Sequence, residues 1–123
     1  MDTLFQTLAA VAGLPLLVLG VRSMFAPRTM QGPFSVSIKG TAGLSTIRSV
    51  AGGFFFACVT LLGWGLLRDQ PQWFFAVAVM LLSVAVGRVV GIMLDGLDKA
   101  VLPPLVVEVV LATVLIAAAL QLS

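Results

Sequence analysis

Charged residues are so widely spaced in this chain that they leave long apolar segments between them. The two longest such runs, residues 3–21 and 49–67, each hold 19 uncharged residues. A helix needs about 20 apolar residues, each rising about 1.5 Å, to cross a hydrocarbon layer of about 30 Å. We therefore predict the first and second transmembrane helices at about residues 4–21 and 47–67.

Two further apolar segments reach spanning length only if each includes a charged residue. The uncharged part of each segment holds 15 residues, which at about 1.5 Å per residue is about 22 Å. Extending the third helix to 73–94 places Arg88 inside it, and extending the fourth to 102–122 places Glu108 inside it. The spanning prediction thus requires one ionisable residue in each of these two helices.

Composition supports a membrane protein of the all-α class. Charged residues make up 10% of the chain and hydrophobic residues 60%, whereas soluble domains carry about 25% charged residues. We predict a polytopic four-transmembrane-helix bundle, with residues 1–123 as a single domain. The first helix is expected to be retained rather than cleaved, because its apolar run exceeds the roughly 7–15 residues of a signal peptide.

Several classes of function are disfavoured by what the sequence contains. A net charge of +2 without a basic run gives no reason to expect nucleic acid as a partner. The chain has no histidine and one cysteine, Cys58, so a metal site, a haem and an internal disulfide are not expected. No hydrolase, phosphate-binding or metalloprotease motif is present, and we expect neither catalytic residues nor a cofactor in this chain.

Lys and Arg residues are distributed unevenly between the two predicted membrane faces. With four spans, the first and third loops share one face, which holds six of the seven basic residues: Arg22, Arg28, Lys39, Arg48, Arg88 and Lys99. The other face holds Arg68. Since cytoplasmic loops carry an excess of Lys and Arg, loops one and three are predicted to be cytoplasmic and both termini outside.

Four charged residues are predicted to form one polar cluster inside the membrane. Arg48, Arg88 and Glu108 all lie about one to two helical turns from the same face, and Asp95 follows Arg88 on the same side of its helix. A charge at the centre of a bilayer costs about 2.5–3.5 kcal/mol on insertion scales, so such groups tend to pair. The cluster could be a structural clasp, or a site for an anion, a lipid headgroup or a quinone-like ligand. A proton path is the third possibility, although the sequence supplies neither a histidine nor a second deep acid.

Glycines recur within the predicted helices at spacings that place them on shared faces. In lipid, helices associate through close backbone approach, which glycine permits. The predicted packing glycines are Gly13, Gly20, Gly52, Gly63, Gly87 and Gly91.

A family resemblance rests on several of these residues together. The segments are Arg48-Ser-Val-Ala-Gly-Gly53, Gly87-Arg88 with Asp95-Gly96, Glu108, and Gly20 with Phe25-Ala-Pro27. They resemble an uncharacterised family of small bacterial four-helix membrane proteins, catalogued as a domain of unknown function and distantly similar to DoxX-like proteins. The resemblance implies a four-helix bundle in the bacterial inner membrane. Some DoxX-like proteins are accessory membrane subunits of oxidoreductases, which favours a similar role here.

These observations lead to two main hypotheses of function. The first is a non-catalytic accessory or structural subunit, whose partners are the lipid bilayer and a larger membrane complex or further copies of the chain. The alternative is a ligand-binding or transport protein for a small molecule, lipid or quinone, with the polar cluster as its site. An enzyme acting on a lipid or quinone is a third hypothesis and would need a partner to supply the redox centre.

Overall fold

The computed structural model describes residues 2–122, and helices account for nearly all of them. No strand occurs within that range. The α-helices are α1 (Asp2–Phe25), α2 (Gln31–Phe34), α3 (Gly40–Thr46), α4 (Gly53–Leu67), α5 (Gln72–Asp95) and α6 (Leu102–Leu122). Short 3-10 turns occur at Pro27–Met30 and Lys99–Val101, and a π-helix occupies Ile47–Gly52.

Four helical segments are long and apolar enough to cross a membrane by length and composition. They are Thr3–Phe25, Gly40–Leu67, Gln72–Asp95 and Lys99–Leu122. The prediction of an all-α protein with four candidate spans is therefore confirmed. Met1 and Ser123, at the two ends of the predicted domain, lie outside the described residues.

The second span begins earlier than the charge spacing predicted. It starts at Gly40, whereas the charge spacing placed its start near residue 47. Gly40 has a φ of +60°, a left-handed conformation that glycine adopts without steric cost. The chain thus turns into the helix at Gly40, and α3, the π-helix and α4 follow without a break.

Contacts divide the chain into two compact units. One unit, here called the central unit, consists of Gly13–Thr60. The other, the terminal unit, contains the described residues up to Ala12 and from Leu61 onward.

In the terminal unit, α5 and α6 pack against each other. The buried residues of α5 recur every three or four positions, which is the period of one helical face: Phe74, Val77, Ala78, Leu81 and Ala85. The buried residues of α6 are Ala112, Leu115, Ala118 and Ala119. Because so many of these side chains are alanines, the two backbones can approach closely.

The turn between α4 and α5 is held by hydrogen bonds within the terminal unit. The backbone N–H of Gln70 donates to the Gly65 carbonyl at 2.9 Å. The Trp73 indole Nε1 donates to Gln70 Oε1 at 3.0 Å. The Arg68 guanidinium lies 4.7 Å from the centre of the Trp64 ring. Such Trp and Arg side chains are typical of the membrane–water boundary.

Candidate functional site

Arg88 and Glu108 form an ion pair that joins α5 to α6. Arg88 Nε lies 2.8 Å from Glu108 Oε1 and 3.1 Å from Oε2. The Arg88 side chain is 30% exposed and that of Glu108 12% exposed. Arg88 and Glu108, the two charged residues that the third and fourth helices must include to reach spanning length, are therefore partners. The charge of the Glu108 carboxylate, the more buried group, is balanced by Arg88.

The ion pair uses only one edge of the Arg88 guanidinium. Both contacts to Glu108 come from Nε, and the terminal nitrogens Nη1 and Nη2 have no hydrogen-bond acceptor among residues 3–122. A guanidinium carries five N–H donors. The exposed edge of Arg88 therefore presents N–H donors that no described residue satisfies, within the candidate span Gln72–Asp95.

Asp95 lies apart from this pair. Its side chain is exposed, and within the described part of the chain it forms no ion pair. Seven residues of α-helix separate it from Arg88, which corresponds to about 10 Å along the axis. Asp95 and Arg88 share a side of α5, but the structure does not bring their charged groups into contact.

Arg48 donates a hydrogen bond to a backbone group of α1. Its Nη1 donates to the carbonyl oxygen of Met24, in the last turn of α1. Carbonyls in a last turn lack partners within their own helix, and they carry the negative end of the helix dipole. Arg48 and Met24 both belong to the central unit. The predicted convergence of Arg48 with Arg88 and Glu108 remains a prediction.

Arg48 also lines a shallow surface depression of about 510 Å³, here called the Arg48 groove. Its lining residues are Met24, Thr41, Leu44, Ser45, Arg48 and Ser49. The three hydroxyl residues, Thr41, Ser45 and Ser49, were not among the residues predicted from the sequence. Their spacing of four residues, at positions 41, 45 and 49, was the available signal, because a helix places such positions on one face.

The central unit carries positive charge without any acidic residue. Arg22, Arg28, Lys39 and Arg48 lie within it, and no Asp or Glu occurs between residues 13 and 60. Arg22 donates to the Thr29 carbonyl at 3.0 Å, a neutral acceptor like the one that Arg48 uses. These bonds fix the guanidinium groups but leave their charges without a counter-ion inside the unit.

Two of the predicted packing glycines are sites of close approach. A Cβ atom on Gly20 would lie 3.2 Å from Phe55 Cβ, and one on Gly52 would lie 3.1 Å from Met24 Cβ. Real Cβ atoms seldom come this close to a neighbour, so these positions favour glycine. Gly13, also predicted, is half-buried.

The other predicted glycines are less confined. Apart from the chain neighbours and the backbone of the same helix, no described atom lies within 4 Å of a Cβ built on Gly63 or Gly87, and for Gly91 the nearest lies at 4.0 Å. The tightest glycine of the terminal unit is Gly65, which was not among the predicted packing glycines. A Cβ atom there would lie 3.0 Å from the Gln70 carbonyl oxygen.

A family model matches residues 4–119 of the chain, and its description is a domain of unknown function (DUF4345). The chain belongs to this family. No curated protein and no solved structure matches the chain. Membership in DUF4345 therefore covers nearly the whole length of the protein but brings no named activity with it.

Two small polar groups are buried in the central unit of this DUF4345 protein. Cys58 is fully buried, and the buried Ser23 hydroxyl has no hydrogen-bond partner among the described residues. Across that same range, His, Cys, Asp and Glu form no group of three that could hold a metal ion.

Proposed function

We propose that this DUF4345 protein is a non-catalytic accessory subunit that associates with a larger membrane complex. The observation that carries the proposal is the exposed edge of Arg88. Its Nη1 and Nη2 have no acceptor among residues 3–122, although Arg88 lies in a candidate membrane span. Lipid tails offer no acceptor, and each unsatisfied polar group in hydrocarbon costs several kcal/mol, on the order of 2–7.

A partner helix would supply the acceptors that this edge lacks. The remaining donors of Arg88 can bind a carbonyl, an amide oxygen or a second carboxylate, since the Nη1 and Nη2 edge of a guanidinium accepts a bidentate partner. Glu108 already occupies the Nε side. The pair would thus anchor α5 and α6 and present a polar contact to the neighbouring subunit.

Site-specific photo-crosslinking in intact cells tests this proposal. A photoreactive amino acid at Val84 lies one turn from Arg88 on the same side of α5, whereas one at Val86 lies on the opposite side. Both valines are exposed, at 36% and 61%, so a photoreactive side chain at either position is accessible to a neighbouring molecule. We expect a discrete protein adduct from position 84 and lipid adducts alone from position 86.

The mass of the adduct separates the possible partners. A product larger than the chain by the mass of a different protein supports the accessory role, and Arg88→Gln should abolish it. A product of twice the chain mass would instead indicate a homo-oligomer. Adducts of equal yield from both positions would contradict a docking edge at Arg88.

A second candidate is a ligand-binding or transport protein for a small molecule, lipid or quinone. The same exposed edge of Arg88 favours it, because a ligand carboxylate or carbonyl could occupy Nη1 and Nη2. Purification in a mild detergent distinguishes the candidates. An isolated chain that retains a small molecule, and loses it in Arg88→Gln, would favour the ligand over the protein partner.

We also propose the bacterial inner membrane as the location, with loops one and three cytoplasmic and both termini outside. The six-to-one distribution of Lys and Arg supports this orientation. The resemblance to DoxX-like proteins supports the bacterial inner membrane as the location. Reporter fusions at the C-terminus and in the loop between α4 and α5 should be active on the outer side. Activity of these fusions on the cytoplasmic side would reverse the orientation.

A further inference from the structure

We propose that the Arg48 groove binds the phosphodiester group of an anionic phospholipid at the membrane–water boundary. The groove lies in the central unit, and the Arg88 edge lies in the terminal unit. The proposal therefore goes beyond the accessory role and can fail or succeed separately from it.

The length of the second span favours a position of the Arg48 groove at the depth of the lipid phosphates. Gly40–Leu67 contains 28 residues, whereas about 20 suffice to cross the hydrocarbon layer. Counted back from Leu67, about 20 residues end at Arg48. The preceding segment from Gly40 then extends beyond the hydrocarbon, into the layer that contains the lipid phosphates.

The chemistry of the groove suits a group that is anionic on one side and apolar on the other. Arg48 donates to Met24 through Nη1 alone, so Nε and Nη2 keep their donors. The hydroxyls of Thr41 and Ser45 donate to no described atom and can therefore donate to a ligand. The third hydroxyl, that of Ser49, donates to the backbone carbonyl of Ser45 at 2.8 Å. A guanidinium with adjacent hydroxyls matches the oxygens of a phosphate.

The remaining walls of the groove are apolar. Met24 and Leu44 line it beside the polar groups. A free phosphate ion would leave these side chains uncovered, whereas the glycerol and upper acyl carbons of a phospholipid would cover them. The lining therefore favours a lipid over a soluble anion.

The charge of the central unit supplies an independent reason for an anion. Its four basic residues have no acidic partner within the unit. A basic side chain near an anionic membrane surface is attracted to that surface. Arg48 lines a depression together with hydroxyl groups, whereas Arg28 does not. We therefore expect the anion to bind at the Arg48 groove and not to associate equally with every basic residue of the unit.

Native mass spectrometry of the full chain in detergent tests the site. Phosphatidylglycerol is the probe, and phosphatidylcholine is the zwitterionic reference. We expect Arg48→Gln to weaken phosphatidylglycerol binding by about tenfold or more, because hydrogen bonds to charged groups contribute about 1.5–3 kcal/mol. Arg28→Gln removes the same charge outside the groove and should change binding less than twofold.

A second variant keeps the test independent of the arginine. Ser45→Phe fills the groove while leaving every charge in place, and Ser45 is exposed, so the fold should tolerate the change. It should weaken phosphatidylglycerol binding as strongly as Arg48→Gln does. Far-UV circular dichroism of each variant confirms that the helices are retained.

Three results would overturn the proposal. Equal losses in Arg48→Gln and Arg28→Gln would show diffuse electrostatic attraction without a site. Phosphatidylcholine bound as tightly as phosphatidylglycerol would remove the requirement for an anionic lipid. Inorganic phosphate that displaces phosphatidylglycerol at equal concentration would assign the groove to a soluble anion.

Discussion

The ion pair between Arg88 and Glu108 yields a quantitative prediction about stability. Both contacts to the carboxylate come from a single donor, Arg88 Nε, so they count as one charge-assisted hydrogen bond, which contributes about 1.5–3 kcal/mol. Breaking a fully buried pair costs about 3–5 kcal/mol, whereas a surface pair contributes about 0–1 kcal/mol. At 30% and 12% exposure, this pair lies between the two limits. We expect Glu108→Leu alone to lower the free energy of unfolding by about 2 kcal/mol.

A double-mutant cycle separates this interaction from the other effects of each substitution. We expect Arg88→Met alone to cost a similar amount, and the double variant to be more stable than the sum of the two losses predicts. The coupling energy should be about 1.5 kcal/mol, within the range of about 0.5–3 kcal/mol found for residues in contact. Unfolding by sodium dodecyl sulfate in mixed micelles, followed by fluorescence of Trp64 and Trp73, measures all three variants.

A control cycle uses Asp95, which forms no ion pair with a described residue. Arg88→Met combined with Asp95→Asn should be additive to within about 0.5 kcal/mol, because residues without contact rarely couple. Additivity of the Arg88 and Glu108 substitutions themselves would refute the pairing. Coupling of Arg88 to Asp95 as strong as its coupling to Glu108 would show that the wider predicted cluster forms after all.

Three further predictions concern packing, and each can be checked by the same unfolding titration or by thiol labelling. Gly65→Ala should destabilise the protein by about 1–3 kcal/mol, since the new Cβ would lie 3.0 Å from the Gln70 carbonyl oxygen. Gly63→Ala should be neutral or slightly stabilising, because its Cβ would meet no atom within 4 Å beyond its own helix backbone and chain neighbours. Phe74→Ala should cost about 3–5 kcal/mol because the ring is buried, at 1% exposed, whereas Phe75→Ala, at 49% exposed, should cost less than half as much. Cys58, at 0% exposed, should react with a maleimide only when detergent unfolds the chain, and rapid labelling of the folded protein would contradict its burial.

The lengths of the uncharged segments predicted which charged residues lie inside the helices. Arg88 and Glu108 had to lie inside helices because the uncharged segments were too short, and a charge in a span requires a partner. The sequence could not choose the partner, because Arg48 and Arg88 offered equivalent guanidinium groups. The Met24 carbonyl that Arg48 contacts is a backbone atom, and no residue type marks its availability.

Local backbone geometry was harder to predict. Charge spacing placed the start of the second span near residue 47, yet the span begins at Gly40, whose φ is positive. Gly63 and Gly65 look equivalent in sequence, since each lies in an apolar helix. Only the fold of the following turn, which brings the Gln70 carbonyl back toward Gly65, separates them.

The π-helix at Ile47–Gly52 determines the direction in which the Arg48 groove faces around the helix axis, relative to the side chains of α4. A π-turn holds about one residue more than an α-turn, and one residue of an α-helix corresponds to about 100° of rotation. Side chains of α3 are therefore out of phase with those of α4, relative to one uninterrupted α-helix. Deleting Val50, which is 69% exposed, should restore a continuous α-helix and swing Thr41 and Ser45 around the axis while the side chains of α4 stay in place. Phosphatidylglycerol binding measured on that deletion would then report the rotational phase of the helix, with every residue of the groove still present.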